Sequence, residues 1–109
     1  MSSTNFNRAD LALTTSNALV YGPVPSGTVA IAFHGTVSNI DDTNKSTHTV
    51  NLEIHSGAST INRLHAVSVS YGSAAKTPKM VLKVGESIYA SADAVSSLML
   101  SMEILEIVS

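Results

Sequence analysis

A chain of 109 residues is long enough to bury a core as a single domain, and the absence of cysteine excludes a disulfide framework and thiolate metal sites. Asp, Glu, Lys and Arg make up only 13% of it, about half the usual share, and Ser and Thr carry much of the remaining polarity. The formal net charge of −2 gives no reason to expect nucleic-acid or anionic-membrane binding. No segment reaches the ~18 to 20 apolar residues that span a bilayer. Arg8 and Asp10 interrupt the first 20 residues, so no secretory leader is expected and synthesis in the cytosol is the default.

Residues 1–16 are small and polar, with Phe6, Leu11 and Leu13 as their main apolar side chains. This composition predicts an N-terminal arm, with room for a helical turn between Asn7 and Leu13, and a domain over residues 17–109. A short strand is expected at 17–21, stopped by the Gly22-Pro23-Val24-Pro25-Ser26-Gly27 turn. Residues 28–39 read as a long strand with Val29, Ile31, Phe33 and Val37 on its apolar face. Gly35 on that face predicts a bulge or a close neighbour. A polar loop, Asp41 to Ser46, leads to the alternating strand 47–55, with Val50, Leu52 and Ile54 inward and Thr49, Asn51, Glu53 and His55 outward. The strand over 60–71, with Val67, Val69 and Tyr71 on one face, is expected to bulge or break near Asn62-Arg63, because Ile61 and Leu64 do not fit one strict register. Residues 72–79 read as a loop.

The last third is the most strongly patterned. A strand at 80–84 and the Gly85-Glu86 turn lead into a ribbon expected to fold as a hairpin, 87–92 with 97–108 around a turn near Asp93-Ala94. In its second strand Leu98, Leu100, Met102 and Ile104 share one face, and Met99, Ser101, Glu103, Leu105 and Ile107 the other. Seven or eight short strands with frequent turn signals and no long helical pattern predict an all-β fold, a small antiparallel β-sandwich or jelly roll. A strand that is apolar on both faces should be covered on both. Phe6, Leu11, Leu13, Met99, Leu105 and Ile107 are therefore the candidate subunit-interface residues.

Chemistry is harder to find. His34, His48, His55 and His65 lack the close spacing of a zinc site, and alternation puts His48 and His55 on opposite faces of one strand. They read as surface histidines. There is no G-x-S-x-G elbow, no phosphate loop, and no calcium-loop pattern at Asp41-Asp42, which reads as a solvated turn. Glu103 and Glu106 fall on opposite faces of a strand, unlike a glycosidase pair. Lys76, Lys79 and Lys83 form the one basic cluster and suit solubility or edge protection. No catalytic residue, cofactor site or metal site is predicted, and an enzyme is not expected.

Three stretches, VAIAFHGTVSNIDDTNKSTHTVNLEI, RLHAVSVSYGSA and KMVLKVGESIYASADAVSSLMLSMEILEI, resemble the small β-sandwich virion proteins of tailed bacteriophages. The most specific block is K-x-V-L-x-x-G-E-S-I-Y-A-S-A, Lys79 to Ala92, where Glu86 replaces the Asp expected at the turn. The resemblance implies a virion structural protein, either capsid decoration (cement) or a neck, tail or baseplate component. Its implied partners are the major capsid protein or other virion proteins, and copies of itself in a homo-oligomer, with a trimer among the options. A receptor- or carbohydrate-binding sandwich is the contrasting expectation, using Tyr21, Tyr71 and Tyr89 with the 41–46 loop. Aromatic residues at 5% and the lack of tryptophan weigh against it.

Overall fold

The computed structural model of the chain describes residues 3–57 and 59–108, with the side chains of residues 33 and 61–66 outside that description. Nine strands are described: β1 (Ser3–Ala12), β2 (Ala18–Tyr21), β3 (Thr28–Asn39), β4 (His48–Ser56), β5 (Ser59–Val69), β6 (Ala74–Lys76), β7 (Met80–Leu82), β8 (Glu86–Ala92) and β9 (Leu98–Val108). They form two antiparallel sheets. One has the order β1-β9-β3-β6, with β7 also on β3, and the other runs β2-β8-β4-β5.

The topology follows from one long ribbon rolled up. Pairing β1 with β9, β2 with β8, β3 with β6 and β7, and β4 with β5 makes a continuous hairpin whose tip is the 56–59 turn. Rolling it adds the closing ladders β3–β9 and β4–β8. This is the jelly-roll arrangement. Within it β6 and β7 act as one strand broken at Thr77-Pro78-Lys79, since β6 pairs with Thr36–Ser38 and β7 with Ala30–Ala32 of the same β3. Pro78 cannot donate to a ladder, which explains the break inside what the sequence presents as a loop.

The expected all-β sandwich is therefore found, with three differences inside it. First, β8 and β9 are not a hairpin: β8 pairs with β2 and β4, β9 with β1 and β3, and the 93–97 turn carries the chain between sheets. Second, residues 1–16, expected as an arm with a possible helical turn, supply an edge strand. β1 pairs with β9 at ten successive positions, and Leu13 is fully buried with its amide donating to the Leu98 carbonyl at 3.0 Å. Third, β3 has a bulge between Ala32 and His34, so its first half is inverted relative to the expected face. Ala30 and Ala32 are buried, while Val29 is exposed; Val37, beyond the bulge, points inward. The side chain of Phe33 lies outside the described residues.

The core is filled by Leu82, Ile88, Leu98, Leu100, Met102 and Ile104, all fully buried, with Val50, Leu52 and Ile54 from β4 facing them. The alternation of β4 and β9 is as expected. In the β4–β5 ladder, register shifts fall on either side of the 62–64 segment, where the sequence predicts a break. The side chains of Ile61 and Leu64, which prompt that expectation, lie outside the described residues. Gly35 is confirmed as a site of close approach: the Thr77 side chain fills the space its Cβ would need, and the Thr77 amide donates to the Gly35 carbonyl at 3.0 Å.

Candidate packing surface and polar clasps

On the outward face of the β1-β9-β3-β7 sheet, the ladders align side chains into rows. Phe6, Leu105, Ile31 and Val81 form one row, and Thr4, Ile107 and Val29 the next. Phe6 is 71% exposed, Val81 61% and Val29 46%; Ile107 is 38% exposed, and Ile31 and Leu105 are half-buried. Scattered surface apolar residues are ordinary, but six in adjoining rows make a contiguous patch of the kind that marks an interaction surface. The face then turns polar: Arg8, Glu103 and His34 form the following row, and Asp10, Ser101, Thr36 and Lys76 the one after. Arg8 is paired with Asp10 at 3.1 Å.

The six candidate interface residues separate on this map. Phe6, Leu105 and Ile107 lie in the patch. Met99 shares the face but sits beyond the polar rows, opposite Ala12 and Ser38. Leu11 and Leu13 turn inward, Leu11 half-buried against the core and Leu13 within it. Val29, Ile31 and Val81 belong to the patch but are not among the sequence candidates. The outward direction of Val29 and Ile31 depends on the β3 bulge and on the alanines that take the inner face, where alternation alone assigns the larger side chains to the core; Val81 faces out because Met80 and Leu82 of β7 take the inner side.

At the end of the sandwich where β9 begins, two loops meet at His48. This side chain is buried, not on the surface, and Asp41 is buried rather than solvated. His48 Nε2 lies 2.7 Å from Asp41 Oδ2 and His48 Nδ1 2.8 Å from Asp93 Oδ1. Carboxylates only accept, so satisfying both requires hydrogen on both ring nitrogens, an imidazolium. The hydrogen bonds His48 donates to Asp41 and then to Asp93 raise its pKa, with burial opposing them; the bond to Asp41, first among the causes there, lowers the Asp41 pKa. Asp41 also accepts from the Asn44 amide at 3.1 Å, and Asn39 Nδ2 donates to the Ser46 and Val69 carbonyls at 2.8 Å each. The result is a clasp tying the β3–β4 loop to the β8–β9 turn and the end of β5.

Two other polar groups hold the edges. Near the far end, Glu106 accepts from Asn7 Nδ2 at 2.6 Å and from the Tyr21 hydroxyl, joining β1, β9 and β2 across the sheets. Desolvation, then the Glu106 bond, raises the Tyr21 pKa well above the usual phenol range. On the outward face of the second sheet, buried Glu53 accepts from Asn17 Nδ2 at 2.7 Å and His55 Nε2 at 2.8 Å, and the His55 ring packs 4.4 Å from that of Tyr89. Tyr71 donates to Asp42 at 2.6 Å. Tyr21, Tyr71 and Tyr89 thus serve three separate places and do not converge on a sugar-stacking platform with the 41–46 loop. His34 and His55 lie on the outward faces of different sheets, and the side chain of His65 lies outside the described residues. Glu103 and Glu106 point to opposite faces, as expected.

Between the edges β5 and β6 an apolar cleft of about 300 Å³ opens toward the core, lined by Val37, Val50, Leu52, Val67, Ala75 and Pro78, with Lys76 and Thr77 at its rim. Among the described residues no group of three or more His, Asp or Glu is placed to hold a metal ion, and no helix is long and apolar enough to cross a membrane.

No protein-family model matches the chain, and no curated protein matches it. Solved structures do. A chain from Bacillus endospore appendages, described as a novel family of disulfide-linked pili, superposes with a TM-score of 0.61 at 14% identity, covering 99% of this chain and 88% of that one. A chain from the acidic stable capsid structure of Helicobacter pylori bacteriophage KHP30 superposes with a TM-score of 0.57 at 9% identity, covering 99% and 94%. At these identities the likeness is one of fold. Both structures are of assemblies, a pilus and a phage capsid.

Proposed function

We propose that this chain is a non-enzymatic structural protein of a tailed-bacteriophage virion, acting as a capsid decoration (cement) protein that binds between major capsid subunits and stabilises the head. The observation that carries the proposal is the apolar patch on the outward face of the β1-β9-β3-β7 sheet. A lone sandwich gains nothing from exposing Phe6, Val29 and Val81 together, whereas an assembly subunit buries them against a neighbour. The low charge supports the same reading, since few charged groups would need desolvation on packing. The fold shared with a phage capsid chain fits a virion subunit, and the resemblance of the Lys79 to Ala92 block, which forms β7, the turn and β8, favours the virion over other assemblies. The pilus likeness favours a filament as the second reading, but these 109 residues contain no cysteine with which to form disulfide links.

A cement protein would bury surface across capsid subunits and stabilise the assembled state by mass action. The test is to purify particles by density gradient from a host that carries the gene, identify the chain by mass spectrometry, and locate it by immunogold labelling. Label over the head is the expected result. Label at the neck or tail would move the protein to an adaptor role, and absence from particles would overturn the virion assignment.

A further inference from the structure

The patterned rows on the outward face also say what can cover it. We infer that the face pairs with the same face of a second copy of this chain, about a two-fold axis that runs parallel to the strands between β9 and β3. The inference rests on reading this face as a packing surface, and not on the virion assignment.

An axis of that kind lays β9 of one copy over β3 of the other, and β1 over the β6–β7 edge, while keeping each row in place. The ladders then fix what meets what. Leu105 comes over Ile31 of the second copy, Ile107 over Val29, and Phe6 over Val81. In the polar rows Glu103 comes over His34 and Asp10 over Lys76. Each of these meetings is apolar with apolar, or carboxylate with a basic side chain, and each occurs twice by symmetry. Arg8, whose row ends at the break between β6 and β7, keeps its own Asp10 at 3.1 Å as partner.

Other placements of the axis lose this match. An axis across the strands through the Leu105 row sets Glu103 of one copy on Ile107 of the other, stranding a carboxylate on apolar surface. An axis along β9 itself stacks Glu103 on Glu103. Twisted sheets pack face to face at about 30°, which shifts the outermost strands by roughly one residue. The Phe6, Lys76 and Asp10 side chains can absorb such a shift, and the central Leu105–Ile31 pairs barely feel it.

Sedimentation equilibrium of the intact chain between about 1 and 100 µM tests the inference, with circular dichroism and thermal melting confirming that each variant is folded. The expected result is a monomer–dimer equilibrium. Val81→Lys, at a position exposed enough to leave folding intact, should weaken the dimer by about tenfold or more. Asp10→Lys, which places lysine against Lys76, should weaken it about tenfold, and the double swap Asp10→Lys with Lys76→Asp should restore it to within about threefold. A monomer at every concentration, or a dimer indifferent to Val81→Lys, overturns the inference, as does failure of the double swap to restore pairing. If the wild-type chain is monomeric and the Val81→Lys variant nevertheless drops out of purified particles, the packing-surface reading survives and only self-pairing is lost.

Discussion

Ile104 and Ile107 offer a sharp test of the two faces of β9. They have the same side chain and lie three residues apart on one strand, yet Ile104 is fully buried and Ile107 is 38% exposed on the outward face. Changing either to alanine removes the same three carbons and the same β-propensity, so the difference between the variants isolates burial. At Ile104 the transfer loss of about 2.4 kcal/mol, from ~0.8 per methylene, is joined by a cavity beside Met102 and Ala32 that the sheet cannot close, for about 3.5 kcal/mol in all. At Ile107 most of the lost area already touches water and no cavity forms, so the cost should be about 1 kcal/mol. With an unfolding entropy of about 2.1 cal/mol/K per residue, the melting temperature of this chain should fall by about 15 °C for Ile104→Ala and about 4 °C for Ile107→Ala. Urea denaturation at low protein concentration is the cleaner assay, because self-association would otherwise add to apparent stability. Costs within about 0.5 kcal/mol of each other, or a larger cost at Ile107, would refute the assignment of the faces and the packing surface built on it.

The His48 clasp predicts a pH dependence with a definite sign. A raised His48 pKa means its stabilisation is complete below the unfolded value of about 6.5 and is lost as pH rises through the folded value; the lowered Asp41 pKa means the carboxylate's share is complete above its unfolded value and is lost only in stronger acid. His48→Gln should therefore lower the melting temperature more at about pH 5.5 than at about pH 8.5, and an equal or reversed effect would remove the imidazolium from the account. Deleting residues 1–16 should destabilise the fold, since it strips β1 from β9 and empties the Leu13 site; a truncated chain that melts where the intact one does would restore the picture of a detachable arm. Gly35→Val should cost about 1 to 3 kcal/mol by driving Thr77 out of its place, read as a lower urea midpoint, and Thr77→Ala in the same chain should recover part of the loss.

Some of this protein was set by the order of its residues alone. Alternation over Leu100 to Ile104 and over Val50 to His55 determines two strands and their inward faces, because a period of two admits only one pleated solution once a core exists. The Pro and Gly cluster at 22–27 and the Ser-Gly turn at 56–57 determine where strands stop, and low charge with no cysteine determines what cannot hold the fold together. Pairing is different, because it depends on partners distant in sequence. Whether β8 turns back on β9 or crosses to the other sheet is decided by the rolled ribbon, whose ladders β1–β9 and β2–β8 join opposite ends of the chain. The same long-range pairing makes a strand of the polar residues 3–12, whose composition has no strand signal of its own. A one-residue bulge in β3 sends Val29 and Ile31 outward and leaves alanines in the core, an inversion invisible to alternation. The clasp has the same origin: Asp41, His48 and Asp93 look like two turns and a strand end until the sandwich brings them within hydrogen-bonding distance. Sequence thus determined that β9 is apolar on both faces; only the tertiary structure decided which of its neighbours, Phe6, Ile31 and Val81, share the outer one.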